Sequence, residues 1–285
     1  MRPAFDPLYR ERAFGSRGRV ARLALRLGLA IFEAVDRVAW RRYARIFCVS
    51  EEVRKRVLAA GLAPAGKLEI LHPSVGVAAD GEGEPEFHRF FLIPGRIMWT
   101  KNIELGIDAF RLFRRAHPDF RLVIAGVVDQ KSKSYVERLR RLAEGEPGIE
   151  FRVSPDDEEL KELYRTCYAV LFTAFNEDWG IVPVEAMASG KAVVATNRGG
   201  PTESIVHGLQ GFLEDPDPAS FAARMVELAS DASLTRRLGA AGRERSRLFS
   251  WDAYARRIDE VLDGLVSGTE RSMSARTAPM EVDAR

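Results

Sequence analysis

The chain has 285 residues, 46% of them hydrophobic and 29% charged, the balance of a folded globular protein rather than a disordered one. No apolar run approaches the ~20 residues that span a bilayer, since the longest (27–35) is broken by Glu33, and Met1 is followed by the polar RPAFDPLYRER where a secretory signal would be apolar. Cys48 and Cys167 lie in apolar contexts without metal-ligand spacing, which excludes a disulfide framework or a zinc module as the organising principle and fits a cytoplasmic chain.

The net charge of +2 hides an asymmetry: residues 1–60 carry 14 Lys+Arg against 6 Asp+Glu, and the remainder 29 against 35. The pattern opens with one long helix over 18–44, flanked by arginine. Nothing in it has the interleaved aromatics or recognisable fold of a nucleic-acid binder. Two readings stay open: arginines on a solvated face, or peripheral contact with the anionic inner face of a membrane. The apolar residues Leu23, Leu27, Ile31 and Val35 form one stripe of this helix and Leu25, Leu29 and Phe32 another.

Further along, RIFCV (45–49) predicts a strand, and Ser50 caps a helix that runs to about 60 and stops at Gly61. A short strand at 68–71 ends at His72-Pro73, and an acidic, glycine-containing linker covers 79–86. The spacing then predicts strands at 90–93, 121–125, 149–153, 169–172 and 192–195, alternating with helices at 103–116, 135–143, 158–166 and 182–188. Strands this apolar, separated by helices, form a parallel sheet covered on both faces, a doubly wound α/β architecture. After Phe212 only helices are predicted, at 218–230, 233–248 and 251–265. The chain divides into 1–84, a Rossmann-like domain at 85–248, a helix at 249–267 packing back towards the amino-terminal part, and an expected mobile tail at 268–285. Two short strands before Pro85 are too few for a second complete Rossmann domain.

Ligands of doubly wound sheets bind beyond the carboxyl ends of the strands. Two loops there carry suitable chemistry. After FFLI come Pro94-Gly95-Arg96 and, at the start of the next helix, Lys101-Asn102. Gly95 permits close backbone approach, Arg96 can grip oxygens bidentately, and Lys101 adds a point charge. Solvated bystander cations remain the plainer alternative. The second loop reads TAFNEDWGIVPVEAMASG, with Glu177 and Glu185 eight positions apart. One carboxylate sits in the loop and one on the first turns of the helix, so both can accept hydroxyls at one pocket. For Glu177 and Asp178 the plainer alternative is favourable charge at a helix start.

This second loop resembles the signature of the retaining glycosyltransferases of family 4, which have the GT-B fold of two facing Rossmann-like domains. The phrase stands here as EDWGIVPVEAMASGKAVVATNRGGPTESIVHGLQGFL. VSEEVRKRVLAAG from Val49, PGRIMWTKN from Pro94, LVIAG ending at Gly126 and FSWDAYARRI from Phe249 match in order. The resemblance implies that Arg96 and Lys101 hold a donor diphosphate, with Gly95 beside it. Glu185 would bind the ribose and Glu177 the transferred sugar. Asp178 stands within the loop where relatives carry Gly, and the backbone of Trp179, Gly180 and Ile181 would touch sugar and phosphate. Val153 and Ser154 would lie near the base. No metal or other cofactor is expected, the nearest acidic pair being Asp156-Asp157.

The ED-aromatic-G-I-V-P phrase resembles the mannosyltransferase-like branch, which points to GDP-mannose. The expected function is therefore retaining transfer of a hexose, mannose favoured, from a nucleotide-diphosphate sugar to a glycan or lipid-linked acceptor. MRPAFDPLYRER resembles a phrase lying well inside the first domain of relatives, so 1–84 is expected to be the end of an acceptor domain plus linker. The alternative is a non-catalytic nucleotide-sugar-binding module, or the donor half of a split transferase completed by a partner chain. His72, His88, His117 and His207 share no spacing and are expected to be structural. Gly199-Gly200-Pro201 with Glu203 reads as a tight turn, and Cys48 and Cys167 as core residues.

Overall fold

A computed structural model of the protein describes residues 18–75 and 84–266. The expected tail at 268–285, most of the 79–86 linker and the RPAFDPLYRER phrase lie outside the described residues. The chain opens with α1 (Arg19–Trp40), β1 (Ile46–Cys48), α2 (Glu51–Ala59) and β2 (Leu68–Ile70). It continues through β3 (Phe90–Pro94), α3 (Ile103–Arg114), β4 (Arg121–Gly126), α4 (Lys133–Leu142) and β5 (Ile149–Val153). Next come α5 (Asp157–Thr166), β6 (Ala169–Phe172), α6 (Ile181–Ala188), β7 (Val193–Thr196), α7 (Pro201–Ser204) and β8 (Gly211–Glu214). The helices α8 (Pro218–Ser230), α9 (Ala232–Ser246) and α10 (Trp251–Val266) follow.

Strands β3 to β8 form one parallel sheet in the order β5-β4-β3-β6-β7-β8. The central strands are apolar throughout because helices cover both faces. On one face Phe91, Leu122, Ile124, Leu171 and Val194 meet Ile107, Phe110 and Phe113 of α3 and Phe221, Met225 and Leu228 of α8. On the other, Leu92, Val123, Val170 and Val193 meet Val184 and Met187 of α6 and Tyr164 of α5. Lys191 is fully buried two residues before β7, where its ammonium donates to the Glu86 carbonyl and lies 4.1 Å from the Phe87 ring. The chain entering the domain is thereby fastened to the sheet.

Strand β8 corrects the expectation of helices alone after Phe212. Only Phe212 and Leu213 are apolar there, too short a run to stand out; pairing with β7 makes the strand. Gly211 permits that pairing, since a Cβ at this position would lie 2.0 Å from the Val193 carbonyl oxygen. The first helix is also shorter than the expected 18–44: it ends at Trp40, and residues 41 and 42 form a turn.

The amino-terminal unit is small. Parallel β1 and β2 carry α2 over a cluster of Cys48, Val57, Leu62 and Leu68, with Trp40 packed against it. Helix α1 extends from this unit with an inverted polarity. Its Asp36 is buried, whereas Val20, Leu23, Leu27, Ile31, Val35 and Val38 are all more than half exposed. Phe32, assigned above to a second stripe, is exposed as well. Among the described residues no helix is long and apolar enough to cross a membrane. At the other end of the chain, Arg257 of α10 reaches Glu69 of β2 at 2.7 Å.

Candidate functional site

The strand order reverses between β3 and β6, so the loops leaving these two strands part and open a crevice at their carboxyl ends. On the β3 side, Gly95 adopts φ +113° and its amide donates to the Ala125 carbonyl at 2.9 Å. A Cβ on Gly126 would lie 1.7 Å from the Gly95 carbonyl oxygen, so this glycine pair lets the β3 and β4 loops touch. Arg96 follows, exposed. Its charge reaches Asp129 in the β4 loop, whose carboxyl is held below its usual range chiefly by hydrogen bonding to Ser132 and to a lesser degree by Arg96.

A single 3-10 turn, Trp99–Lys101, and the left-handed Asn102 (φ 48°) then aim the chain into α3. The turn is tied to the β6 loop: the Thr173 hydroxyl donates to the Lys101 carbonyl at 2.7 Å, and the Phe175 amide to the Thr100 carbonyl at 3.1 Å. Across this seam the Lys101 ammonium donates to Glu177 Oε2. The two residues stand 76 positions apart, and both side chains are only about a quarter exposed.

The Glu177 backbone is gripped by a second glycine pair. The Gly200 amide donates to its carbonyl at 2.9 Å, and a Cβ on Gly199 (φ +68°) would lie 2.3 Å from that oxygen. The expected tight turn at Gly199-Gly200-Pro201 is thus a support for the loop. Gly180, left-handed at φ 83°, starts α6. The amides of Ile181 and Val182 open that helix with no intrahelical acceptor, a ready anion site.

Glu185 stands one turn further on. Burial pushes its carboxyl above the ordinary range, and a hydrogen bond from the Tyr164 hydroxyl at 2.6 Å works against that shift. Tyr164 is buried on α5, and burial beside Glu185 raises its own phenol well above the usual value. At the sheet edge, Val153 and Ser154 close β5 and are exposed. Ser154 takes a left-handed φ of 54°, and its amide donates to the Gly126 carbonyl at 2.9 Å.

Of the residues named from the sequence, Gly95, Arg96, Lys101, Glu177, Gly180, Ile181 and Glu185 converge at the carboxyl ends of β3 and β6. Val153 and Ser154 lie two strands away, roughly 10 Å. The side chains of Asp178 and Trp179 go elsewhere. Asp178 Oδ1 accepts from Arg56 at 2.6 Å, and the Trp179 ring is 4% exposed and stacks on His72, with ring centroids 4.3 Å apart. Only their backbone stays in the loop. Tyr164 and Glu203 were not picked out as site partners, because their contacts cross 21 and more than 130 positions with no local spacing to betray them. Among the described residues no group of three His, Cys, Asp or Glu side chains could hold a metal ion. The arrangement offers two cations and helix amides for an anion, and two carboxylates for hydroxyls.

The chain has counterparts among known proteins. The family model of glycosyl transferases group 1 matches residues 79–245. The alpha-1,3/1,6-mannosyltransferase ALG2 of Mus musculus is 32% identical over 219 residues, covering 70% of this chain and 53% of its own. The D-inositol 3-phosphate glycosyltransferase of Streptomyces avermitilis is 29% identical over 229 residues, covering 73% and 49%. The chain thus spans about half the length of the curated relatives it matches. Among solved structures, Anabaena HepE in complex with UDP and glucose superposes with a TM-score of 0.70 over 81% of this chain and 67% of its own, at 21% identity. That likeness shows a shared fold.

Glu185 provides a pH test. Its raised pKa means the stabilising protonated form is fully present below the unfolded value and lost as pH rises through the folded one. Glu185→Gln, which cannot ionise, is therefore expected to melt above the parent chain at pH 7, with the difference vanishing near roughly pH 4. Thermal melts across that range check it; a variant melting lower at pH 7 would make Glu185 a structural residue.

Proposed function

The chain belongs to the group 1 glycosyl transferases, and on that footing we propose that it binds a nucleotide-diphosphate sugar in the crevice between β3 and β6 and supplies the donor half of a retaining hexosyl transfer. The observation that carries this is the meeting of Lys101 and Glu177 beside the α6 amino terminus. A cation for the leaving diphosphate and a carboxylate for the sugar are held there in one contact.

In this account the diphosphate lies against Arg96, Lys101 and the first amides of α6, which meet the negative charge that grows on the leaving group. Lys101 then shares its ammonium protons between Glu177 and a phosphate oxygen. That frees a carboxylate lone pair for a sugar hydroxyl or for positive charge developing at the reacting carbon. Glu185 accepts the ribose hydroxyls, held by Tyr164, and the β5 end at Val153 and Ser154 borders the base. The acceptor hydroxyl attacks from the face the diphosphate leaves, giving its proton to the departing phosphate oxygen, so the anomeric configuration is kept. With two cations and a helix terminus on the diphosphate, no metal is called for.

Mannose from GDP-mannose is the favoured donor, supported by the EDWGIVP phrase and by the mannosyltransferase names among the relatives. The acceptor is a glycan or a lipid-linked acceptor, and the rest of an acceptor domain completes the cleft, in the same polypeptide or in a partner chain. Calorimetric titration with GDP, UDP, GDP-mannose and UDP-glucose checks the donor site. Micromolar binding to one base family, weakened at least about tenfold in Arg96→Ala and in Glu185→Ala, is expected; binding equally strong in both variants would contradict it.

A lipid-linked acceptor accords with α1. Its outward apolar stripe is flanked by exposed Arg26 and Arg37, about three turns apart on one side, and its Asp36 is buried. An apolar face edged by arginine, with Asp36 turned inward and Glu33 half-buried, matches an anionic bilayer surface, and we propose peripheral contact there. Vesicles of phosphatidylglycerol and phosphatidylcholine are expected to float the chain at low salt, and Leu27→Glu with Ile31→Glu to abolish flotation. Failure of the parent chain to float would reject the contact.

A further inference from the structure

The Glu177 loop is held from two directions. From within the sheet domain come Thr173, Phe175 and the Gly199-Gly200 pair. From outside come three contacts of the amino-terminal unit: the Ser50 hydroxyl donates to the Asp178 carbonyl, Arg56 pairs with the Asp178 carboxylate, and His72 lies on Trp179. The His72 contact belongs to a cluster of three rings. Its ring is nearly parallel to the indole (23°), and Phe249 closes on both rings edge-on, at 5.6 Å and 5.1 Å.

His72 is itself fixed through Glu203. Its Nε2 stands 3.3 Å from Glu203 Oε2, and the same carboxylate accepts the amides of Glu51 at 2.9 Å and Glu52 at 3.2 Å, capping the start of α2. Burial alone would raise this carboxyl; the bonds from His72 and the two amides outweigh it and hold the group below its ordinary range. The backbone beneath Glu203 is in turn pinned by Arg245, which donates to the carbonyls of Glu203 and Ser204 at 3.0 and 2.6 Å. A carboxylate on the sheet domain thus orients a histidine of the amino-terminal unit, and that histidine presses on a ring two residues from Glu177.

We propose that His72 and Glu203 are positioning residues for the sugar half of the donor site, acting through Trp179 to hold Glu177 in place. The inference rests on the donor site proposed above and adds a division of labour to it. Arg96 leaves the end of β3 and Glu185 stands on α6 against Tyr164, so the diphosphate and ribose contacts are built on the sheet domain. The sugar contact, in contrast, depends on the amino-terminal unit being seated. Seating of that unit then tells the site whether a sugar, rather than a bare nucleotide, is bound well.

The test uses the whole chain and two readouts. Hydrogen exchange of the 176–182 amides is expected to quicken at least about tenfold in His72→Ala while β4 stays protected. In calorimetry, His72→Ala is expected to weaken the nucleotide sugar of the preferred base about tenfold and its nucleoside diphosphate less than about twofold. His72→Phe keeps a ring on Trp179 and is expected to restore both readouts towards the parent, which a general loss of stability would not permit. Glu203→Gln is expected to fall between them. Unchanged exchange in His72→Ala, equal loss of both ligands, or no rescue by His72→Phe would each overturn the proposal. Should the parent chain bind no nucleotide, the donor-site account fails first, while the exchange comparison still decides whether His72 holds the loop.

Discussion

Two neighbouring parallel strands whose connections leave for opposite faces cannot keep their loops together above the sheet. That constraint acts at β3 and β6, and nearly everything else about the molecule follows from how the gap between them is lined. The lining is mostly backbone brought unusually close. Gly126 lets the Gly95 carbonyl rest against the β4 loop, and Gly199 and Gly200 do the same for the Glu177 segment. With the two main chains fixed, Lys101 and Glu177 can face each other across the seam although a whole βαβ series separates them in sequence.

The gap and the neighbouring Glu177 loop are also where the protein accepts local cost. Glu185 keeps a carboxylate in a half-buried position with a tyrosine hydroxyl as its side-chain partner. The Trp179 indole nitrogen is buried without a hydrogen-bond acceptor among the described residues, an arrangement that typically costs about 1–3 kcal/mol. A core selected for stability alone would bury neither. The covering layers, by contrast, obey ordinary packing, with Phe91, Phe113 and Phe120 in edge-to-face and stacked pairs. Stability resides in those layers, and they carry the strained loops.

What the amino-acid sequence reveals follows the same division. FFLI, LVIAG and AVLF announce buried parallel strands because the residues of a strand covered on both faces must be apolar. The cations after β3 and the paired glutamates around α6 stand out because their elements place them at strand ends. β8 was missed because its strand character comes from pairing with β7 and not from its own residues. Asp178 and the backbone of Trp179 sit inside a phrase that implies ligand contact, but nothing in that phrase shows that the two side chains turn to the amino-terminal unit, through Arg56 and His72. No local spacing announces contacts that span more than a hundred positions, and the role of Glu203 is made entirely of them.

The most direct test is a crystal structure of this chain with the preferred nucleotide-diphosphate sugar bound. The diphosphate is expected at the mouth between β3 and β6, within reach of Arg96, Lys101 and the amides of Ile181 and Val182, with the ribose at Glu185 and the sugar at Glu177. The opposite end of the sheet offers a competing location, a cavity of about 310 Å³ walled by Phe87, Phe120 and Tyr168 with Arg89 and Arg236 at its edge. Nucleotide density there, with the β3–β6 mouth empty, would contradict a donor site at the β3–β6 crevice.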